Sequence, residues 1–205
     1  MNLAELLADQ GWAVAKESAS ASLYNHTPWV APEAYLHWLF KPVTPRALEE
    51  TRTLLAIRDE WLDFLFIQNG AMLYSDSLSI FGAVESGTLL NRNSPHDLGP
   101  YSLLDQKRKS AGFGDDAIII CTYPYDGSQV VLRNNDGAVI VFSKIGSTYK
   151  TGRAWNSATR WITEELGRLK TLFDSSQNPG RQVEHFAEFC ELVSKELKHA
   201  SSRFR

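Results

Sequence analysis

Three apolar runs between Ala117 and Ser143, separated by Pro124-Tyr125-Asp126-Gly127 and Asn134-Asn135-Asp136-Gly137, restrict this chain more than any other feature. Short runs rich in β-branched side chains and bounded by Asp-Gly turns pair as hairpins. Ile118–Tyr123, Gln129–Arg133 and Ala138–Ser143 therefore predict an antiparallel meander. Leu78, Ile80 and Val84 fall on one face of a period-two pattern with Gly82 between them, which adds a strand over Leu78–Val84.

Helical patterns surround these strands. Residues 2–10 read as a short helix, and Pro32 opens a second one running to about Phe40, with Tyr35, Trp38 and Leu39 on its apolar side. Thr44 and Pro45 are N-cap and first residue of the next, whose inward stripe is Leu48, Leu55 and Leu62. Trp61, Leu62, Phe64 and Leu65 repeat at helical spacing until Asn69-Gly70, a common helix stop. Ser157 caps a helix through Phe173, lined by Ala158, Trp161, Ile162, Leu166 and Leu169, and Val183 to Leu197 carries the last apolar stripe. Lys16–Ser22 reads as a polar loop, and Glu85–Asp116 as a long polar connection of the kind that carries binding residues.

The fold class expected is α+β: a single antiparallel or mixed sheet of about four to six strands flanked by helices. One domain covers residues 1–205, with a core at about 45–175, a helical and aromatic extension at 1–44 and a C-terminal helix at 180–200.

Composition narrows the function classes. Lys and Arg number 21 against 24 Asp and Glu, a net charge of −3, which provides no footprint for nucleic acid or anionic lipid. Glu5 and Asp9 interrupt the first dozen residues where a secretory signal needs basic and then apolar ones, and no apolar window is long enough to span a bilayer, so the expected compartment is cytoplasmic. Cys121 and Cys190 read as reduced core thiols.

The chemistry-bearing residues do not assemble into a motif. His26, His37, His96, His185 and His199 lack metal-protease spacing, and there is no Cys-x-x-Cys, nucleophile elbow, phosphate loop or dinucleotide fingerprint. Gly112-Phe113-Gly114 precedes a strand, the reverse of the order that cradles a pyrophosphate. His96-Asp97 and Asp115-Asp116 are the best raw material for acid–base or metal work, but neighbours on a strand point to opposite faces. Lys107-Arg108-Lys109 is a basic run that a solvated loop explains equally well. No catalytic, cofactor-binding or metal-binding residue is assigned, and a binding protein without enzymatic activity is expected.

Order of elements carries a family resemblance. Residues 47–70 look like the opening helix and the Asn-Gly-terminated second helix of the SUKH superfamily. Ala117–Phe142, with Gly137-Ala138-Val139, is similar to its central strands, and Asn156–Phe173 to its closing helix. Where the family usually has Leu-Pro before the second helix, this chain reads Ile57-Arg58-Asp59-Glu60. The resemblance implies an immunity protein that binds and neutralises a cognate toxin domain, often a nuclease. A regulatory or scaffolding module with another protein partner is the alternative, and a small enzyme with a site assembled from distant residues a third. A basic nuclease cleft suits acidic loop residues, which makes Asp76, Glu85, Asp97, Asp115, Asp116 and Asp126 the candidate contacts. Direct nucleic-acid and membrane partners are not expected.

Overall fold

Three helices each begin where a side chain satisfies one of the first free N–H groups. In the computed structural model, which describes residues 1–26, 34–85, 95, 113 and 116–173, Asn2 Oδ1 accepts the Ala4 N–H at 3.1 Å to start α1 (Leu3–Asp9). Thr44 Oγ1 accepts the Ala47 N–H at 3.2 Å ahead of Pro45, opening α2 (Pro45–Leu55) as expected. Ala56 then takes a left-handed φ of 47°, and α3 (Asp59–Ile67) follows. Ser157 Oγ accepts the Arg160 N–H at 3.2 Å at the start of α4 (Ala158–Phe173).

The strands are β1 (Val14–Glu17), β2 (Ala21–His26), β3 (Tyr35–Phe40), β4 (Ala71–Leu73), β5 (Leu78–Ile80), β6 (Ala117–Tyr123), β7 (Ser128–Arg133), β8 (Val139–Ile145) and β9 (Thr148–Trp155). They form one antiparallel sheet of nine strands in chain order, which replaces the expected four to six. The α+β character stands; the sheet is larger because elements without alternating patterns joined it.

Two of those elements correct the sequence reading directly. Tyr35–Phe40 is a strand rather than a helix: Leu36, His37, Leu39 and Phe40 are buried, and pairing with both β2 and β4 outweighs the helical spacing of three apolar residues. Lys16–Ser22 is not a loop but the turn and ends of the β1–β2 hairpin, with Ser18 Oγ accepting the Ala21 N–H at 3.0 Å. Residues 1–44 thus contribute α1 and three strands, and Leu3 and Leu7 are fully buried in the common core. β9, unmarked by any apolar alternation, closes the far edge.

Helices α1, α3 and α4 supply Leu3, Leu7, Trp61, Leu62, Phe64, Leu65, Trp161, Ile162, Leu166 and Leu169 to one apolar cluster with the sheet. In β6 every residue from Ala117 to Cys121 is buried, so both sheet faces are covered there. Phe113 provides part of that cover, its ring 4.0 Å from Phe142 and 5.5 Å from Tyr149. Cys121 is a buried free thiol, as expected. Cys190 and the 180–200 helix lie outside the described residues.

Chain-order topology sorts the connections. The turns β4–β5, β6–β7 and β8–β9 emerge at one end of the sheet, where β2 also ends and β3 begins, and which we call the turn end. The β1–β2 and β7–β8 turns and the α2–α3 crossing emerge at the opposite end, where β5 ends and β6 begins.

Candidate functional site

The turn end is where backbone and charge are most constrained. Tyr74, Ser75 and Asp76 in the β4–β5 turn have φ of 52°, 53° and 63°, a run of left-handed residues that are not glycine. Such conformations persist only where surrounding bonds enforce them. Here the Ser75 N–H donates to Leu36 O at 2.8 Å, the Tyr74 N–H to His37 Nδ1 at 3.1 Å, and Ser79 Oγ to Asp76 Oδ1 at 2.7 Å.

Beneath this turn lies an aromatic box. The Tyr74 ring meets His37 edge-on at 4.5 Å and Phe173 at 4.7 Å, and its hydroxyl donates to Gln10 Oε1 at 2.8 Å. Trp12 closes the box 5.1 Å from His37, with Lys170 Nζ 5.8 Å from its ring centroid. Burial pushes the His37 imidazole down to about 3, so it is neutral at physiological pH. Because Nδ1 accepts a backbone N–H, the proton sits on Nε2, which has no hydrogen-bond partner among the described residues.

Beside the box, α4 places a carboxylate inside its apolar stripe. Glu165 is only 4% exposed, yet it occupies the face that carries Ile162, Leu166 and Leu169. Tyr123 donates its hydroxyl to Glu165 Oε1 at 2.9 Å, Arg168 Nε donates to Oε2 at 2.9 Å, and Arg168 Nη2 donates to Oε1. Burial would lower the Arg168 guanidinium, but the hydrogen bond and charge of Glu165 outweigh it and hold it above its ordinary value. Burial, reinforced by Glu165, raises the Tyr123 hydroxyl, and burial with Asp126 raises Tyr125. The Cys121 thiol is raised by burial and then by Glu165 and Asp76, which keeps it protonated.

The β6–β7 turn forms the rim. Asp126 Oδ1 accepts the Ser128 N–H at 2.7 Å, Gly127 adopts φ +73° against the Lys144 stem, and the Tyr125 ring stands 6.0 Å from Tyr123.

The opposite end is a clasp. Asn69 is buried, its Nδ2 donating to Ala83 O at 2.9 Å and its Oδ1 accepting the Ala83 N–H at 2.7 Å. A Cβ on Gly82 would lie 2.5 Å from Asn69 O, and one on Gly70, at φ +80°, 2.6 Å from Ile80 O. Nearby, Arg58 binds Asn134 through its N–H at 3.2 Å and through Nη1 to the backbone oxygen at 2.6 Å, and Asn134 Nδ2 returns to Ala56 O at 3.2 Å.

The six acidic residues singled out in the sequence do not form one surface. Asp76 and Asp126 lie on neighbouring turns of the turn end. Glu85 lies at the opposite end, paired with Arg46 at 3.2 Å, as does Asp116, whose buried Oδ2 has no partner among the described residues. Asp97 and Asp115 are outside the described residues, as are His96 and Lys107-Arg108-Lys109. Sequence reasoning missed Tyr74, His37, Tyr123, Glu165 and Arg168. One mark was available: a glutamate at a core position of the α4 stripe, three residues before an arginine.

Among the described residues no three His, Cys, Asp or Glu side chains gather as metal ligands, and no helix is long and apolar enough to cross a membrane. Comparison with protein-family models found none that matches this chain, and comparison with curated proteins found no match.

Proposed function

We propose that this chain is a non-enzymatic protein-binding module of the SUKH type, an immunity protein that binds a cognate bacterial toxin domain and covers its active site. The observation that carries the reading is how the buried titratable groups are used. His37 is neutral and spends Nδ1 on the Tyr74 backbone, Glu165 is tied to Tyr123 and Arg168, and Cys121 is held as a thiol. His37 holds the β4–β5 turn and Glu165 ties α4 to the sheet, while Cys121 is a packed thiol within β6, so the outward-facing asset is a rigid rim of fixed charge. The residues behind the resemblance have the same character, since Asn69-Gly70 and Gly82 lock α3 to the end of β5.

Inhibition on this reading is steric and electrostatic. Asp76 and Asp126 draw in the basic cleft of a nuclease, and a few anchors behind the rim supply affinity. Titration calorimetry of the full chain against the inactivated toxin domain encoded beside its gene tests this. The expected result is a 1:1 complex, with loss of the active toxin's activity on addition of the chain; absence of heat and undiminished toxin activity contradict it.

A further inference from the structure

Glu165 and Arg168 form an ion pair whose carboxylate is buried and whose guanidinium is half-buried, where an apolar pair would hold α4 on the sheet at least as well, because desolvating a carboxylate offsets much of what its partner returns. Stability alone does not account for the carboxylate. What Glu165 does achieve is orientation: Nε and Nη2 of Arg168 engage its two oxygens, and the Tyr123 hydroxyl fixes that carboxylate from the sheet side. One edge of the guanidinium is thereby held. The Nη1 group donates to none of the described residues, and the side chain keeps 26% of its surface open. Half-buried Tyr125 is close enough to Arg168 to interact with its charge, and Asp126 follows Tyr125 in the same β6–β7 turn.

Resting on the reading above, we infer that Arg168 is the anchor of the toxin interface and takes a carboxylate of the partner protein on its free Nη1–Nη2 end. Arginine and tyrosine dominate interface energetics where their rotamers are fixed in advance. Glu165 and Tyr123 do that fixing, as positioning residues. A polyanion such as nucleic acid or a phosphate-rich surface is disfavoured by Asp76 and Asp126 on the same rim and by the net charge of −3. A protein surface bearing one acidic side chain among basic ones matches both signs.

Calorimetry with the full chain and the inactivated toxin domain tests the assignment. Arg168→Lys keeps the charge but loses the fork, and weakens binding about tenfold; Arg168→Gln weakens it by roughly 30-fold or more. Since either change strands the Glu165 carboxylate, the paired variant Glu165→Leu/Arg168→Met separates folding from binding. It melts within a few degrees of the unaltered chain yet binds at least about tenfold more weakly. A folded pair variant that binds as tightly as the unaltered chain overturns the anchor while leaving the immunity reading intact. Failure of the unaltered chain to bind the toxin domain at all removes both.

Discussion

Asn69, Gly70 and Gly82 decide whether the α3 end and the β5 end can meet at all. A methyl group at Gly82 meets the Asn69 backbone oxygen at 2.5 Å and Oδ1 at 2.7 Å, and Oδ1 cannot retreat without breaking its bond to the Ala83 N–H. Gly82→Ala is expected to lower unfolding stability by on the order of 2–4 kcal/mol, read as a shifted urea midpoint by tryptophan fluorescence. Asn69→Ala, which orphans a buried N–H and C=O, belongs in the same range. His37 sets the acid sensitivity. Its folded value of about 3 lies below the ordinary 6.5, so the folded state stays neutral while the unfolded chain takes up a proton. That contribution to stability is whole above pH about 6.5 and is lost as pH falls toward about 3, at up to ~1.4 kcal/mol per pH unit. His37→Asn keeps an acceptor for the Tyr74 N–H, and its urea midpoint should fall less between pH 7 and pH 5 than that of the unaltered chain. Parallel slopes for the two proteins would contradict the assignment.

At the scale of elements, the two outer strands explain how an open sheet of nine strands avoids pairing with itself. β1 inserts Ala15 between Val14↔Tyr24 and Lys16↔Leu23, and β9 sets Gly152 and Arg153 against the single Val141. Both are bulges that bend an edge, and both strands carry exposed charge in Lys16, Glu17, Lys150 and Arg153. Replacing Lys16 and Lys150 by Val should raise the sedimentation coefficient with protein concentration beyond that of the unaltered chain; unchanged sedimentation would show that charge does not guard these edges. The same features made the strands hard to read. An edge that avoids apolar alternation presents Val14–Glu17 and Thr148–Ala154 as polar sequence, whereas Ile118–Ser143 announces itself through two Asp-Gly turns. Tyr35–Phe40 misled in the opposite way, since a strand covered on both faces loses the period of two and leaves Tyr35, Trp38 and Leu39 at helical spacing. Caps at Thr44 and Ser157 were legible because each rests on one local hydrogen bond. The Tyr123–Glu165 contact was not, since its partners are separated by 42 positions and only the folded sheet brings them together.

For the whole molecule, the proposed binding function divides along the length of the sheet. One end is fastened by the Asn69 clasp and the Arg58–Asn134 bonds, and the other carries the left-handed Tyr74–Asp76 turn, Asp126, Tyr125 and the Arg168 fork. Charge at the turn end should govern encounter, so Asp126→Asn, which keeps the acceptor for Ser128, is expected to slow association severalfold at low salt. Glu85→Gln at the clasped end should not. Hydrogen exchange on the full chain, with and without the inactivated toxin domain, tests the division most directly. The account predicts protection on binding in residues 74–77, 124–127 and the second half of α4, with none in the 134–137 turn or at Thr44–Arg46. Protection concentrated at 134–137 and Thr44–Arg46, with the turn end unchanged, would contradict it.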